Sequence, residues 1–160
     1  MTVFDENPIL RILPHFGEMS LDNFSNRLRL QKISFLAQEI GLDGGFFFTY
    51  YHRGPYSPDL TRLLFRGVET EDFTKKELTV KESRIVQNLG KILGSKVDDV
   101  RSLELFASVW YLLPSRKINN EDKKYVLDTI LETKPRYNKD EVEETIEKVV
   151  RFKSDFGLEV

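Results

Sequence analysis

The chain has 160 residues, a formal net charge of −2 and no cysteine. Its length fits one domain, or one domain with an appended helical part, and 40% apolar residues are enough for a real core. The charge excludes a surface coated in cations to grip nucleic acid, though not a local basic patch, and the absence of thiols excludes disulfides and thiolate metal sites.

The first residues lack the basic start and apolar stretch of a secretory signal. No apolar run approaches the ~20 residues of a spanning helix. A cytoplasmic protein without membrane contact is the expectation.

Residues 7–16 hold Ile9, Leu10, Ile12 and Leu13 and end at Pro14 to Gly17, which predicts a short helix. Residues 20–26 form a polar approach anchored by Leu21 and Phe24. The first long helix is predicted over residues 24–40, stopping at Gly41. Leu30, Ile33, Leu36, Ala37 and Ile40 share one face, and Phe24, Leu28 and Phe35 a second, roughly opposite. A helix apolar on two sides is sandwiched between other elements. Arg29 and Lys32 project onto or between these faces, with their stems expected to lie buried and their charges lifted to water. Gln31 and Gln38 read as ordinary polar positions.

Gly44-Gly45 break the chain, and the aromatic and β-branched run 46–51 predicts a strand. Phe46, Phe47, Phe48, Tyr50, Tyr51 and Tyr56 could stack bases, but core packing is the favoured reading of such a cluster. In Gly54-Pro55-Tyr56-Ser57-Pro58, Pro58 forces Ser57 extended, the geometry an N-cap needs. Pro58 suits the first helical position and Asp59 complements the helix dipole. The helix turns Leu60, Leu63 and Leu64 inward and is expected to end by Gly67. A phosphate cradle is rejected here: Pro58 removes a donor, Ser57 occupies another and Asp59 repels an anion.

Residues 68–78 are polar and broken, with Phe73 and Leu78, and allow a β-hairpin wing or a loop. Thr79 with Glu82 is a capping box for a helix to about Leu93, ended at Gly94. Asp98 or Asp99 caps the next helix, to Leu113. That helix is apolar over most of its circumference, with Arg101, Glu104 and Ser108 as a polar strip. Asn119 or Asn120 caps a helix through about Glu132, broken at Lys134-Pro135. Asn138 with Glu141 opens the last helix, which buries Val142, Ile146, Val149, Val150 and Phe156 and closes at Gly157. A boundary near residues 94–97 divides the chain into residues 1–94 and a helical part, residues 95–160, packed on it as one compact unit.

Enzyme signatures are thin. His15 and His52 are the only histidines, and neither has the partners of a metal site; His52, beside Arg53, is the better candidate for function. Gly-rich phosphate motifs and a nucleophile elbow are absent. Pro58-Asp59 and Glu121-Asp122-Lys123 formally match nuclease elements, but both read as helix starts, where acids are common. No catalytic residue, cofactor or metal is expected. Between Arg27 and Arg66 the bases Arg27, Arg29, Lys32, Arg53, Arg62 and Arg66 outnumber the acids Glu39, Asp43 and Asp59, whereas the last helices are acidic. Such a split marks a nucleic-acid face, or two surfaces of a protein-binding module, or only a solvated exterior.

The pattern Leu30-Gln31-Lys32-Ile33-x-Phe35-Leu36, an aromatic strand, then Gly54-Pro55-Tyr56-Ser57-x-x-Leu60 resembles the YwgA-like family of uncharacterised prokaryotic proteins. Leu103 to Ser108 and Lys134-Pro135-Arg136-Tyr137 extend the resemblance. The joined Leu-Gln-Lys helix and Gly-Pro turn are more distantly similar to the Panacea, or SocA-like, antitoxin domain, whose members act by protein contact. The YwgA-like resemblance implies no activity and carries over no catalytic residue. The element order resembles a winged helix, with residues 57–66 as recognition segment and residues 73–78 as wing.

The expected fold is therefore mostly helical α+β, a winged-helix-like half with a small sheet plus a C-terminal helical part. The first functional expectation is a non-enzymatic regulator contacting duplex DNA. The alternative is an antitoxin-like or adaptor module binding a protein such as a toxin. In either case Tyr51, His52, Arg53, Tyr56, Arg62 and Arg66 are the candidate contact residues.

Overall fold

The computed structural model describes residues 7–70 and 77–156. The fold is mostly helical with one small antiparallel sheet. In chain order the elements are α1 (Pro8–Ile12), a 3₁₀ turn (Leu13–Phe16), α2 (Phe24–Glu39), β1 (Thr49–Tyr51), β2 (Gly54–Tyr56) and α3 (Pro58–Thr70). Then come α4 (Val80–Leu93), a second 3₁₀ turn (Gly94–Asp98), α5 (Val100–Leu112), α6 (Asn120–Thr133) and α7 (Lys139–Asp155).

Caps set most helix starts. The side chains of Asn7, Asn23, Thr79, Asp99, Asn119 and Asn138 each accept a first-turn backbone N–H, and Thr79, Asn119 and Asn138 complete reciprocal boxes. Glu82 also accepts a forked pair from Arg11, at 2.6 to 3.2 Å, which ties α4 to α1. Ser57 caps α3 as expected, with the Leu60 N–H donating to Ser57 Oγ at 3.3 Å.

α2 and α5 are the central pair, and α7 then α6 build outward from α5. One apolar cluster runs through the chain from Ile9 to Val149, with Leu30, Ile33, Leu36, Leu103, Phe106 and Trp110 fully buried or nearly so. α2 is enclosed all round: every side chain from Leu28 to Ala37 is buried, including Arg29, Gln31, Lys32 and Ser34. The expectation that Arg29 and Lys32 lift their charges to water is wrong. Of the polar strip Arg101, Glu104 and Ser108 on α5, the last two are buried where α5 meets the hairpin.

The strand is shorter than expected, three residues at the end of the run 46–51, because its partner is equally short. That partner, Gly54–Tyr56, was read as a helix lead-in only. Thr49 pairs with Tyr56, Tyr50 with Pro55 and Tyr51 with Gly54, which leaves His52-Arg53 as a two-residue turn. Proline is tolerated because β2 has a free edge. Along the aromatic run Phe48 is buried, whereas Phe47 is 77% exposed.

α3 runs through Gly67 to Thr70 rather than ending by Gly67. Residues 68–70 are thus helix, and Phe73 with most of the expected wing lies outside the described residues. Residues 77–79 are irregular, so no strand pair follows α3 among the described residues. Gly157, expected to close α7, also lies outside them.

Gly54 has a φ of +88°, and a Cβ there would lie 2.6 Å from Ser108 Oγ. Gly54→Ala combines left-handed strain with overlap against α5, so it is expected to cost about 2–5 kcal/mol in urea unfolding. Adding Ser108→Ala should recover the overlap part and not the strain. Full stability in the single variant would contradict this packing.

Candidate functional site

The buried polar side chains of α2 grip backbone. Gln31 Nε2 donates to the Ser57 carbonyl at 2.9 Å, and the Ser57 N–H donates to Gln31 Oε1 at 3.0 Å. Gln38 does the same to Phe46, at 2.9 and 3.0 Å. Arg29 donates to the carbonyls of Phe16, at 2.6 Å, and Glu18. Lys32 Nζ donates to the Pro55 carbonyl at 2.6 Å. The glutamines, read as ordinary polar positions, fix both ends of the aromatic segment.

Two grooves result, and the hairpin contributes to both. The first lies between α2 and α3, encloses about 180 Å³ and is lined by Leu21, Phe24, Arg27, Leu28, Tyr56, Leu64 and Phe65, with Gln31 and Thr61. Its largest apolar side chains are held open to solvent: Phe24 is 53% and Phe65 45% exposed. The guanidinium groups of Arg27 and Arg53 stand 5.8 and 5.7 Å from the centre of the Phe24 ring. The Thr61 hydroxyl donates to the Tyr56 hydroxyl at 3.0 Å, which orients that ring.

The second groove encloses about 240 Å³ and is lined by Tyr50, Tyr51, His52, Thr133 and Lys134. Lys134, at the C-terminal end of α6, is 1% exposed and donates to the His52 carbonyl, with the Tyr51 carbonyl 3.5 Å away. Its ammonium also lies 5.1 Å from the centre of the Tyr50 ring. Lys32, equally buried, approaches the hairpin from α2. Burial, then repulsion from Lys134, pulls the Lys32 pKa down to about 7. Burial, then repulsion from Arg53, pulls Lys134 down to about 8. The acid nearby is Glu104, whose Oε2 takes the Arg136 guanidinium and the Tyr137 hydroxyl, the latter at 2.6 Å. Its Oε1 is 4.0 Å from Arg53.

Of the sequence-predicted contact residues, Tyr51 and Tyr56 meet edge to face at 5.5 Å and form a wall between the grooves. His52 and Arg53 are the exposed hairpin turn. Arg62 and Arg66 are exposed on α3 but line neither groove, and Arg62 is paired with Asp59. Sequence reasoning missed Phe24 and Phe65 as exposed residues, and Arg27, Lys32 and Lys134 as site residues. The available signal was a helix with basic and amide residues inside an otherwise apolar circumference. Asp59 and the pair Glu121-Asp122 sit at separate helix starts, as read. Among the described residues no three His, Cys, Asp or Glu gather as metal ligands, and no helix is long and apolar enough to cross a membrane.

Lys32 makes stability depend on pH. Between about 7 and its ordinary 10.5, the unfolded chain keeps a proton on residue 32 that the folded chain has released. Stability therefore rises with pH across that window and gains nothing from Lys32 below it. Tyr50 and Tyr137, whose phenols burial pushes up, oppose the rise only from about their ordinary 10.0 upward. Urea midpoints of the wild type are expected to climb through this range, and those of Lys32→Met to climb less. Equal slopes would remove Lys32 as the cause. Comparison with protein-family models, with curated proteins and with solved structures finds no match, so the chemistry of the two grooves carries the functional argument.

Proposed function

We propose that the chain is a non-enzymatic adaptor that binds a segment of a partner protein in the groove between α2 and α3. The observation that carries this reading is the exposure of Phe24 and Phe65 on an apolar groove rimmed by arginine. Exposed apolar patches with a polar rim mark interaction sites. Aromatic residues and arginine are also the types that dominate interface energetics. The occupant that fits is a segment with one or two large apolar side chains for the groove and carboxylates beside them for Arg27 and Arg53. The resemblance of the Leu-Gln-Lys helix and Gly-Pro turn to the antitoxin domain points the same way, since its members act by protein contact. The YwgA-like resemblance is kept as the nearer likeness and adds no activity.

Duplex DNA fits less well. Arg62 is neutralised by Asp59, Arg53 leans on Phe24 and approaches Glu104, and Phe65 interrupts the basic face of α3. Phosphate contacts need cations free to release counterions.

Co-purification from the native source, at endogenous levels, separates the two. A stoichiometric protein partner should be retained by the wild type and by Arg62→Ala. It should be lost from Phe24→Ser/Phe65→Ser, with the helical spectrum and melting temperature preserved because both rings are exposed. A partner retained by the double variant would overturn the assignment of the groove. Mixed-sequence duplex bound with a steep salt dependence, equally by wild type and double variant and without a protein partner, would replace this reading with the DNA one.

A further inference from the structure

We propose that the second groove, beside the hairpin turn, is a binding site for an oxyanion, a phosphate or carboxylate group, with Lys134 as its charged ligand and the Tyr50 hydroxyl as its neutral donor. Three features lead to this site.

The first is an incomplete charge balance. Lys32 and Lys134 are each 1% exposed, and their hydrogen-bond partners are backbone carbonyls of the hairpin. Among the described residues neither has a carboxylate partner within ion-pair distance, whereas buried charges are ordinarily paired. The ammonium groups repel each other, and Arg53 adds to the repulsion. Glu104 pairs with neither lysine: one of its oxygens takes Arg136 and Tyr137, and the other, buried without a hydrogen-bond donor, lies 4.0 Å from Arg53. An ammonium offers three donors, and a carbonyl cage uses only part of them.

The second feature is a set of unused hydroxyls. The Tyr50 and Ser108 hydroxyl oxygens are buried and make no hydrogen bond of good geometry, although Thr133 and Ser108 stand close enough to Tyr50 to interact with its oxygen. Ser108 is fully buried. Thr133 already donates to the Thr129 carbonyl at 2.7 Å, so toward Tyr50 it can only accept, and the loosely held Tyr50 O–H is the donor that an entering anion would recruit on the groove wall. A buried hydroxyl that lacks a well-formed bond calls for an explanation, and a bound species that accepts from it is one.

The third feature is room with an opening. The groove's volume, about 240 Å³, holds several waters at ~30 Å³ each, and its outer wall is the exposed Tyr51 and His52. An oxyanion there meets Lys134 within its lining and Tyr50 behind. Water alone would satisfy the hydroxyls but not the charge.

The test is a titration of the full chain with inorganic phosphate and, separately, with acetate, at constant ionic strength. Binding is read from the ring resonances of Tyr50 and His52. A saturable shift is expected with at least one anion. Tighter phosphate identifies a phosphate ligand, and tighter acetate identifies a carboxylate ligand. Lys134→Met should weaken binding about tenfold or more, as expected when a charged hydrogen bond is lost. Lys134 also caps the hairpin, so Tyr50→Phe, which removes one oxygen and keeps the ring, serves as the second variant and should weaken binding several-fold. Lys123→Met, beside a separate surface groove of α6 and α7, should bind as the wild type does. Absence of a saturable shift with either anion would overturn the proposal and leave the cavity to water. Binding equally tight in the Lys134 and Tyr50 variants would also overturn it, by placing the anion elsewhere.

Discussion

The fold depends on the grip that Gln31 holds on Ser57. One amide side chain, from the middle of a fully buried helix turn, satisfies both backbone groups of a residue 26 positions away. Ser57 is where extended chain becomes helix, so fixing it places β2 on one side and α3 on the other. A buried hydrogen bond of this kind contributes about 0.5–1.5 kcal/mol, but removing the partner leaves donor and acceptor stranded at about 1–3 kcal/mol each. Gln38 at Phe46, Arg29 at Phe16 and Glu18, and Lys32 at Pro55 repeat the device along the same helix. Each target is backbone that pairs little or not at all in a sheet, and buried backbone must find partners. α2 supplies them, which is why it is polar in a core position.

The hairpin inherits its position from three directions. Lys32 reaches it from α2, Lys134 from the end of α6, and Ser108 of α5 stands where a side chain on residue 54 would have to go. Only glycine fits there, and the free edge of β2 tolerates the proline that follows, so Gly54 has a packing cause as well as a turn cause. With the hairpin fixed, Tyr51 and Tyr56 face different grooves while touching each other. An aromatic groove and a cationic groove beside the turn thus share a wall.

What could be read in the sequence was whatever is decided within a few residues. Thr79 with Glu82, Asn119 with Asp122 and Asn138 with Glu141 announce helix starts because cap and target lie three positions apart. Ser57-Pro58 announces α3 for the same reason, and the mostly helical class follows from the sum of such signals. Local pattern could not show that Lys32 and Gln31 are buried, since helical periodicity predicts burial only for apolar residues and their partners lie 23 and 26 positions on. Glu104 and Ser108 formed a strip on α5 by spacing, but the strip is covered by chain from residue 54 and residues 136–137. Gly67 reads as a stop, yet α3 continues past it to Thr70. For the candidate site, Tyr51, His52, Arg53 and Tyr56 were legible from the aromatic run and the turn. Phe24 and Phe65 were not, because the same spacing that marks a core face also marks a face left open.

The lysines pose a sharper question than the glutamines. Gln31 and Gln38 show that neutral side chains suffice to hold irregular backbone on α2. Lys32 and Lys134 do a similar task at a desolvation cost, with no carboxylate in ion-pair contact among the described residues, and their lowered pKa values record that cost. A neutral group capping the same carbonyls would leave the fold more stable, so positioning does not account for the charge. The anion proposed for the second groove would, and such a ligand, binding the folded chain alone, would stabilise it by mass action. Because Tyr51 belongs to the wall of that groove and rests on Tyr56 of the other, an anion that shifted Tyr51 would alter what the aromatic groove presents. Coupling of this kind is reciprocal: a partner seated against Phe24 and Tyr56 would tighten the anion by the same factor that the anion tightens the partner.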